Sequence, residues 1–253
     1  MGAKKDRLDI MVVEKGLTSS RDHARALIMS GKILVDNRPL DKPGAKVSGE
    51  EHISLKGGAI PYVGRGGLKL AGALQGLKID VSGLVCLDVG ASTGGFTDCL
   101  LQNGAKIVYA VDVGYGQLAW KLRQDPRVVV MERTNIRHLP ARAIPLPVDL
   151  VTIDVSFISL KIVLPAILKF TGENARILAL IKPQFEAVKG RVGKGGVVRD
   201  TDAHEQVLET MSDFFLQAGL EQEAVIPSSI LGAKGNREFL VSLLVPQGLS
   251  EKF

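Results

Sequence analysis

Residues 87–98 read Leu-Asp-Val-Gly-Ala-Ser-Thr-Gly-Gly-Phe-Thr-Asp, and no other stretch narrows the possible folds as far. The apolar run 85–89 predicts a buried strand, Gly90, Gly94 and Gly95 predict a tight turn, and residues 96–101 open a helix. In a strand–glycine loop–helix unit the backbone can approach a ligand closely, and the helix N-terminus offers free N–H groups. Such loops hold the nucleotide-like end of a cofactor. A second apolar run ends in Asp112, about 20 residues past the loop, where a carboxylate binds ribose hydroxyls. The spacing is G-x-x-x-G-G, unlike the G-x-G-x-x-G of a dinucleotide site, and no P-loop motif occurs. An ordinary βαβ turn that binds nothing is the bland alternative.

The chain has 253 residues, enough for one large α/β domain with a small appendage, and 45% hydrophobic content supports a sizeable core. No apolar run approaches the roughly 20 residues that span a bilayer, and no signal peptide is visible. Only Cys86 and Cys99 occur, both inside the glycine-loop segment, and the four histidines are scattered. A disulfide scaffold and a metal site are therefore not expected, and a reducing cytoplasm fits. The charge is uneven. Residues 1–70 carry 13 Lys and Arg against 8 Asp and Glu, whereas the remainder carries 19 of each. That asymmetry points to a nucleic-acid-binding arm, with a solvated Lys-rich surface as the plain alternative.

Residues 7–54 form a pattern of their own. Leu8, Met11 and Val12 have helical spacing, Gly16 stops that helix, and Ser19 with Asp22 makes a capping box for a second helix to about residue 30. Ala24, Leu27 and Ile28 face inward while Arg21 and Arg25 share an outer face. Gly31 is a candidate C-cap, and residues 33–35, Val47 and residues 52–55 make a small sheet. Arg7-Leu8-Asp9, Ser20-Arg21 and Gly31-Lys32-Ile33-Leu34-Val35 resemble the S4 RNA-binding domain over about 50 residues. That resemblance implies RNA contacts from Arg7, Arg21, Arg25 and Lys32.

Six glycine or proline residues among positions 57–67 mark a linker, so the expected domains are 1–57, a linker 58–67, and 68–253. A helix over about 68–77 and strands at 108–111, 128–131, 150–153, 177–181, 223–227 and 239–245 predict a mostly parallel sheet. After the fourth strand the chain reads Ile153-Asp154-Val155-Ser156-Phe157, without the prolines used to methylate exocyclic base nitrogens. The cysteines are committed to the strand and helix beside the loop, which argues against cytosine-C5 chemistry. A ribose hydroxyl instead needs a group to remove its proton, and a lysine flanked by carboxylates can do so. Lys69, Asp154, Lys182 and Glu238 supply that set.

The lead acid Asp88 and its separation from Asp112 resemble the first motifs of S-adenosylmethionine (SAM) methyltransferases. The order Lys69, Asp154, Lys182, Glu238 is similar to the tetrad of FtsJ-type ribose 2′-O-methyltransferases. Gly64-Arg-Gly-Gly-Leu-Lys-Leu, Ile181-Lys-Pro-Gln-Phe-Glu and Gly193-Lys-Gly-Gly-Val-Val-Arg-Asp resemble the TlyA (hemolysin-A) family over nearly the whole chain. The resemblance implies an α/β, Rossmann-like SAM methyltransferase domain behind an S4-like α+β domain, methylating a ribose 2′-OH, of cytidine, in ribosomal RNA. It implies SAM contacts from Asp88, Gly90, Ser92, Gly94, Gly95, Phe96, Asp112, Asn135 and Ile136. In the same reading Lys182 handles the 2′-OH proton, Asp154 and Glu238 orient that lysine, and Lys69 steadies the RNA. Arg65, Arg191 and Lys194 add RNA contacts; the partner is a ribosomal subunit or its RNA, no membrane is involved, and a monomer is expected. The stretch 187–191 departs from the family pattern. Two other classes stay open: a non-enzymatic RNA-binding factor, and the membrane-lytic protein that the family name suggests.

Overall fold

The computed structural model describes residues 5–18, 20–56, 60–188, 190–193 and 195–250. The chain divides into two compact units, residues 1–61 and 62–253.

The first unit contains β1 (Lys5–Arg7), α1 (Leu8–Glu14), α2 (Arg21–Met29), β2 (Ile33–Val35), β3 (Arg38–Pro39), β4 (Lys46–Ser48) and β5 (Ile53–Leu55). Leu8 and Val12 on α1 and Ala24 and Ile28 on α2 are each four residues apart, so each pair lies on one helix face. Those faces bury against Ile33, Val35, Val47 and Ile53. The cap of α2 is Ser20, whose hydroxyl accepts the His23 N–H; Ser19, expected in that role, lies outside the described residues. Gly31 follows the helix with φ +66°, as a C-terminal stop requires. Asp36 and Asn37 both have positive φ and close the β2–β3 hairpin in two residues. The single small sheet expected here is two sheets. Val47 pairs with Asp6 of β1, while β5 pairs with β2.

Asp9 is buried, and two arginines converge on it. Arg7 Nε and Nη2 donate at 2.9 and 3.1 Å, and Arg21 Nη2 at 3.0 Å. The hydrogen bond from Arg7, with help from Arg21, holds the Asp9 carboxyl down at about 2, although burial works the other way. Two of the four expected RNA-contacting cations in this unit are thus engaged internally. Arg25 and Lys32 are exposed.

The second unit is an α/β layer structure. Its elements are α3 (Gly66–Gly76), β6 (Val85–Val89), α4 (Gly95–Gln102), β7 (Ile107–Val111), α5 (Trp120–Arg123), β8 (Val128–Met131), β9 (Val148–Ile153), α6 (Leu160–Ile167), β10 (Thr171–Ile181), α7 (Pro183–Glu186), α8 (Thr201–Gln217), β11 (Glu221–Pro227) and β12 (Phe239–Leu244). The sheet order is β11-β12-β10-β9-β6-β7-β8. Strands β8 through β10 in that order pair in parallel, and only β12 runs against its neighbours. Both faces of the central strands β6, β7 and β9 are covered, so these strands are mostly apolar. Leu87 and Val89 pack in one cluster with α6 and α8, while Cys86 packs in the other with α3 and α4. The chain moves one way from β6 to β7 and the other way to β9. Their adjacent C-terminal ends make the topological switch point, where open α/β sheets bind ligands.

A depressed carboxyl stabilises the fold above its unfolded value and loses that contribution as pH falls through its folded value. Asp9 should therefore support the first unit fully above about pH 4, with support fading toward pH 2. Asp9→Ala should cost about 2 kcal/mol at neutral pH, since a shift of nearly two units and two unpaired guanidinium groups are involved. Faster hydrogen exchange of the amides of α1 and α2 in the intact variant is the readout, and unchanged exchange would be the contrary result.

Candidate active site

Two adjoining cavities open at the switch point, of about 480 and 530 Å3. Both are lined by Gly90, Ser92, Asp154, Ser156 and Phe157, so they form one groove across the ends of β6 and β9.

The loop after β6 is shaped by two glycines. Gly90 has φ +87°, and a Cβ there would lie 2.7 Å from the Asp154 carbonyl oxygen. Gly94, at φ +94°, faces the other way, where a Cβ would strike Leu122 and Leu118. Gly94 is thus packed against α5, and it is not among the residues that line either cavity, although Thr93 and Gly95 on its two sides are. Gly95 and Phe96 line the first cavity. The loop amides, expected to be free for a ligand, are largely spent within the protein. Gly90 and Ala91 N–H both donate to the Val111 carbonyl, Ser92 N–H to Asp112 Oδ2 at 2.7 Å, and Gly94 N–H to the Ala91 carbonyl.

Asp88 also departs from expectation. It alternates with Leu87 and Val89 along β6, points under α4, and is fully buried. Thr97 Oγ1 donates to it at 2.6 Å, Thr152 Oγ1 at 3.2 Å, and the Thr97 backbone N–H adds a third bond. The carboxyl thus caps the first turn of α4 from below and does not line the groove. Burial raises its pKa to about 7 despite the threonine hydrogen bonds that oppose the rise.

On the β7 side, Asp112 accepts from Ser92 N–H and Gly114 N–H, each at 2.7 Å, and lines the second cavity. Asn135 and Ile136 line it too; the Asn135 side-chain oxygen also makes an Asx turn to Arg137 N–H at 3.1 Å. Glu132 braces the loop before α5, accepting from Gln117 N–H and pairing with Arg123, and its carboxyl falls to about 2. The cause is first the Arg123 hydrogen bond and then backbone donors.

On the β10 side the structure brings Lys69, Asp154, Lys182 and Glu238 together in one row of alternating sign. Lys69 Nζ lies 2.7 Å from Glu238 Oε2 and 3.6 Å from Asp154 Oδ2, and Lys182 Nζ lies 2.5 Å from Asp154 Oδ1. Lys69, Lys182 and Glu238 are buried. The partner of Glu238 is Lys69, not Lys182 as expected; Lys69 and Asp154 stand between them. Ser156 Oγ takes the second bond from Lys182, at 3.0 Å.

Sequence reasoning passed over several cavity residues. Ser156 and Phe157 lie two and three residues beyond Asp154, and Gln184 sits inside the Lys-Pro-Gln-Phe-Glu motif, yet neither serine nor glutamine is distinctive by type. Phe157 is 91% exposed at φ +65°, its ring 5.2 Å from that of Phe185. An exposed aromatic in a strained backbone at a cavity rim is a functional signal that only coordinates reveal. Of the other expected RNA contacts, Arg65 donates to the Leu231 carbonyl at 3.0 Å, Arg191 pairs with Asp200 at 3.3 Å, and Lys194 lies outside the described residues. Among the described residues no group of three or more His, Cys, Asp or Glu could hold a metal.

The model of the FtsJ-like methyltransferase family matches residues 62–244, the whole span that builds this groove. The chain belongs to that family. Its first unit matches the S4 domain over residues 6–53. The 16S/23S rRNA (cytidine-2′-O)-methyltransferase TlyA of Mycobacterium tuberculosis is 46% identical over 242 residues, covering 95% of this chain and 90% of that protein. Hemolysin A of Brachyspira hyodysenteriae is 40% identical, over 94% of this chain and 100% of that protein. A solved structure described as a hemolysin, from Streptococcus thermophilus, superposes with a TM-score of 0.77 at 42% identity, covering 99% and 94% of the two chains. The FtsJ-like chain is thus an α/β methyltransferase domain joined to an S4 domain.

Asp88 keeps its proton to higher pH when folded than when unfolded, so folding stability falls as pH rises from about 4 toward 7. The slope of this one group approaches 1.4 kcal/mol per pH unit. In Asp88→Asn, which keeps the shape and can still accept from Thr97, that slope should vanish over the window. Parallel unfolding curves for the two proteins across this range would contradict the placement.

Proposed function

We propose that this FtsJ-like chain transfers the methyl group of SAM to a ribose 2′-OH in ribosomal RNA, cytidine being the target nucleoside. The observation that carries the reading is the buried row Glu238–Lys69–Asp154–Lys182 opening on the same groove as Gly90, Ser92 and Asp112. The relative named as a cytidine-2′-O rRNA methyltransferase, similar over almost its whole length, supports it.

The residues present fit SAM. Of the two carboxylates in the second cavity, Asp112 and Asp154, Asp112 stands free of the charged row for ribose hydroxyls, with Ile136 and Val155 for an apolar face and Asn135 beside them. Gly90 leaves open the space that any side chain would fill against Asp154. When bound, SAM supplies an electrophilic methyl group on sulfur. The protein's part is to deliver the oxygen. Lys182 Nζ, held by Asp154 and Ser156, takes the proton of the 2′-OH once it has released its own to solvent, and the Asp154 carboxylate stabilises the ammonium that re-forms. Lys69 lies between Asp154 and Glu238 and fixes the carboxylate on which Lys182 depends. Phe157 presents a ring on which a base can stack.

The S4-like unit supplies affinity for RNA, through Arg25 and Lys32 more than through Arg7 and Arg21, which Asp9 engages. Arg65 and Arg191 add contacts beside the groove. The hemolysin names of two relatives find no matching feature here: among the described residues no helix is long and apolar enough to cross a membrane.

Lys182→Ala should lose about 10²- to 10⁴-fold in single-turnover methyl transfer to rRNA while SAM affinity stays near wild type. Lys182→Arg should not restore it, because a guanidinium does not release its proton near neutral pH. A variant retaining more than about a tenth of the rate would remove the proton-handling role. Mapping of ribose methylation in rRNA from a strain lacking the gene, with and without complementation, tests the reaction itself. Replacing Arg25 and Lys32 together by alanine should lower the slope of log affinity for rRNA against log salt by about 1.5, with SAM affinity unchanged. An unaltered slope would take these residues off the RNA.

A further inference from the structure

Among the described residues, one buried side-chain polar atom has no hydrogen-bond partner: Oε1 of Gln184. Gln184 is one of the residues lining the first cavity, on α7, two residues beyond Lys182, and its Oε1 is held just beneath that wall. Its orientation is forced. Gln184 Nε2 donates to Glu238 Oε1 at 3.4 Å, and the other Glu238 oxygen is taken by Lys69 at 2.7 Å. A carboxylate only accepts, so turning the amide over would set oxygen against oxygen. A buried acceptor left without a donor costs about 1–3 kcal/mol, which a binding partner can recover.

The neighbouring polar groups are already matched. Asn236 Oδ1 accepts from Val198 N–H at 3.0 Å, and its Nδ2 donates to the Gly196 carbonyl at 2.9 Å. Lys182 is satisfied by Asp154 and Ser156. Among the described residues, the one buried acceptor of this wall that lacks a donor is thus at Gln184.

We infer that Gln184 Oε1 accepts a hydrogen bond from the exocyclic amine of the target base, and so selects cytidine over uridine. The inference rests on the ribose-methylation reading above. A nucleotide in this cavity brings three kinds of donor: sugar hydroxyls, exocyclic base amines, and the ring N–H of uracil or guanine. The reacting hydroxyl belongs at Lys182 and Asp154, whereas Gln184 bonds to Glu238, at the opposite end of the charged row. Cytosine N4 donates at the place where uracil O4 accepts. Uracil would thus set a second acceptor against a buried one, and sites built around a hydrogen bond reject a partner that lacks it strongly. The donor class is the exocyclic amine of a pyrimidine, and the uridine arm of the test weighs it against the ring N–H of uracil.

The test is single-turnover methyl transfer to RNA carrying cytidine, uridine or the amine-free pyrimidin-2-one nucleoside at the nucleotide that the protein methylates. Wild type should favour cytidine over both others by about 100-fold. Gln184→Met, similar in length and without a strong acceptor, should bring the three rates within about threefold of one another while leaving SAM affinity by calorimetry unchanged. Equal wild-type rates on cytidine and pyrimidin-2-one would overturn the inference, and that comparison needs no variant to fold. A Gln184→Met protein slowed equally on all three would assign the donor to a sugar hydroxyl. A folded variant with weakened SAM binding would assign it to the ammonium group of SAM. Either result overturns the base-reading role. Failure of the underlying reading looks different: no methyl reaches the ribose even when cytidine is present.

Discussion

Asp154 is shared by two lysines, and the groove depends on that sharing. Four charged side chains at the ends of inner strands, three of them buried, would be costly to hold singly, and they are tolerated because their signs alternate from Glu238 through Lys69 and Asp154 to Lys182. Each comes from a different element: α3, the end of β9, the end of β10 and the start of β12. The row therefore ties the helix before the cofactor loop to three neighbouring strands. Loss of Asp154 would leave two buried cations facing each other. The backbone at the same residue also approaches Gly90 so closely that the loop and the charged row share one wall.

The loop after β6 is rigid for reasons unconnected with a ligand. Asp88 supports the first turn of α4 from beneath, and Asp112 ties the tip of the loop to the end of β7 through Ser92. Most of its amides already have partners, so a cofactor meets a preformed surface with little backbone left to order. Preorganisation of this kind lowers the entropic cost of binding. It also means that Asp112 already accepts two backbone hydrogen bonds, from Ser92 and Gly114.

The two units divide the work that the family assignment implies. The first has, among the described residues, a core of eight buried side chains and a buried carboxylate that positions two of its arginines, Arg7 and Arg21. The second holds the groove, the charged row and an aromatic pair at the rim. Glu238 illustrates how the groove is organised from a distance: it touches Lys69 and Gln184, and through them it bears on both the charged row and the unpaired acceptor.

The sequence by itself determined the elements of the groove. A buried strand at 85–89, the glycines and the helix that follows are local matters of apolar runs and backbone freedom, and the structure has them where the pattern puts them. The alternation of strands and helices likewise dictated a mostly parallel sheet, and four spaced ionisable residues marked its edge. Which way side chains face was decided only in three dimensions. Asp88 turns under a helix because strand residues alternate faces, and whether a face is a ligand groove depends on what packs there. Glu238 meets Lys69 because β12 runs antiparallel beside β10, a pairing between segments far apart in sequence. Ser156, Phe157 and Gln184 carry no distinctive signature as residue types; burial, strain and one missing hydrogen-bond partner give them their meaning, and those are properties of the packed molecule.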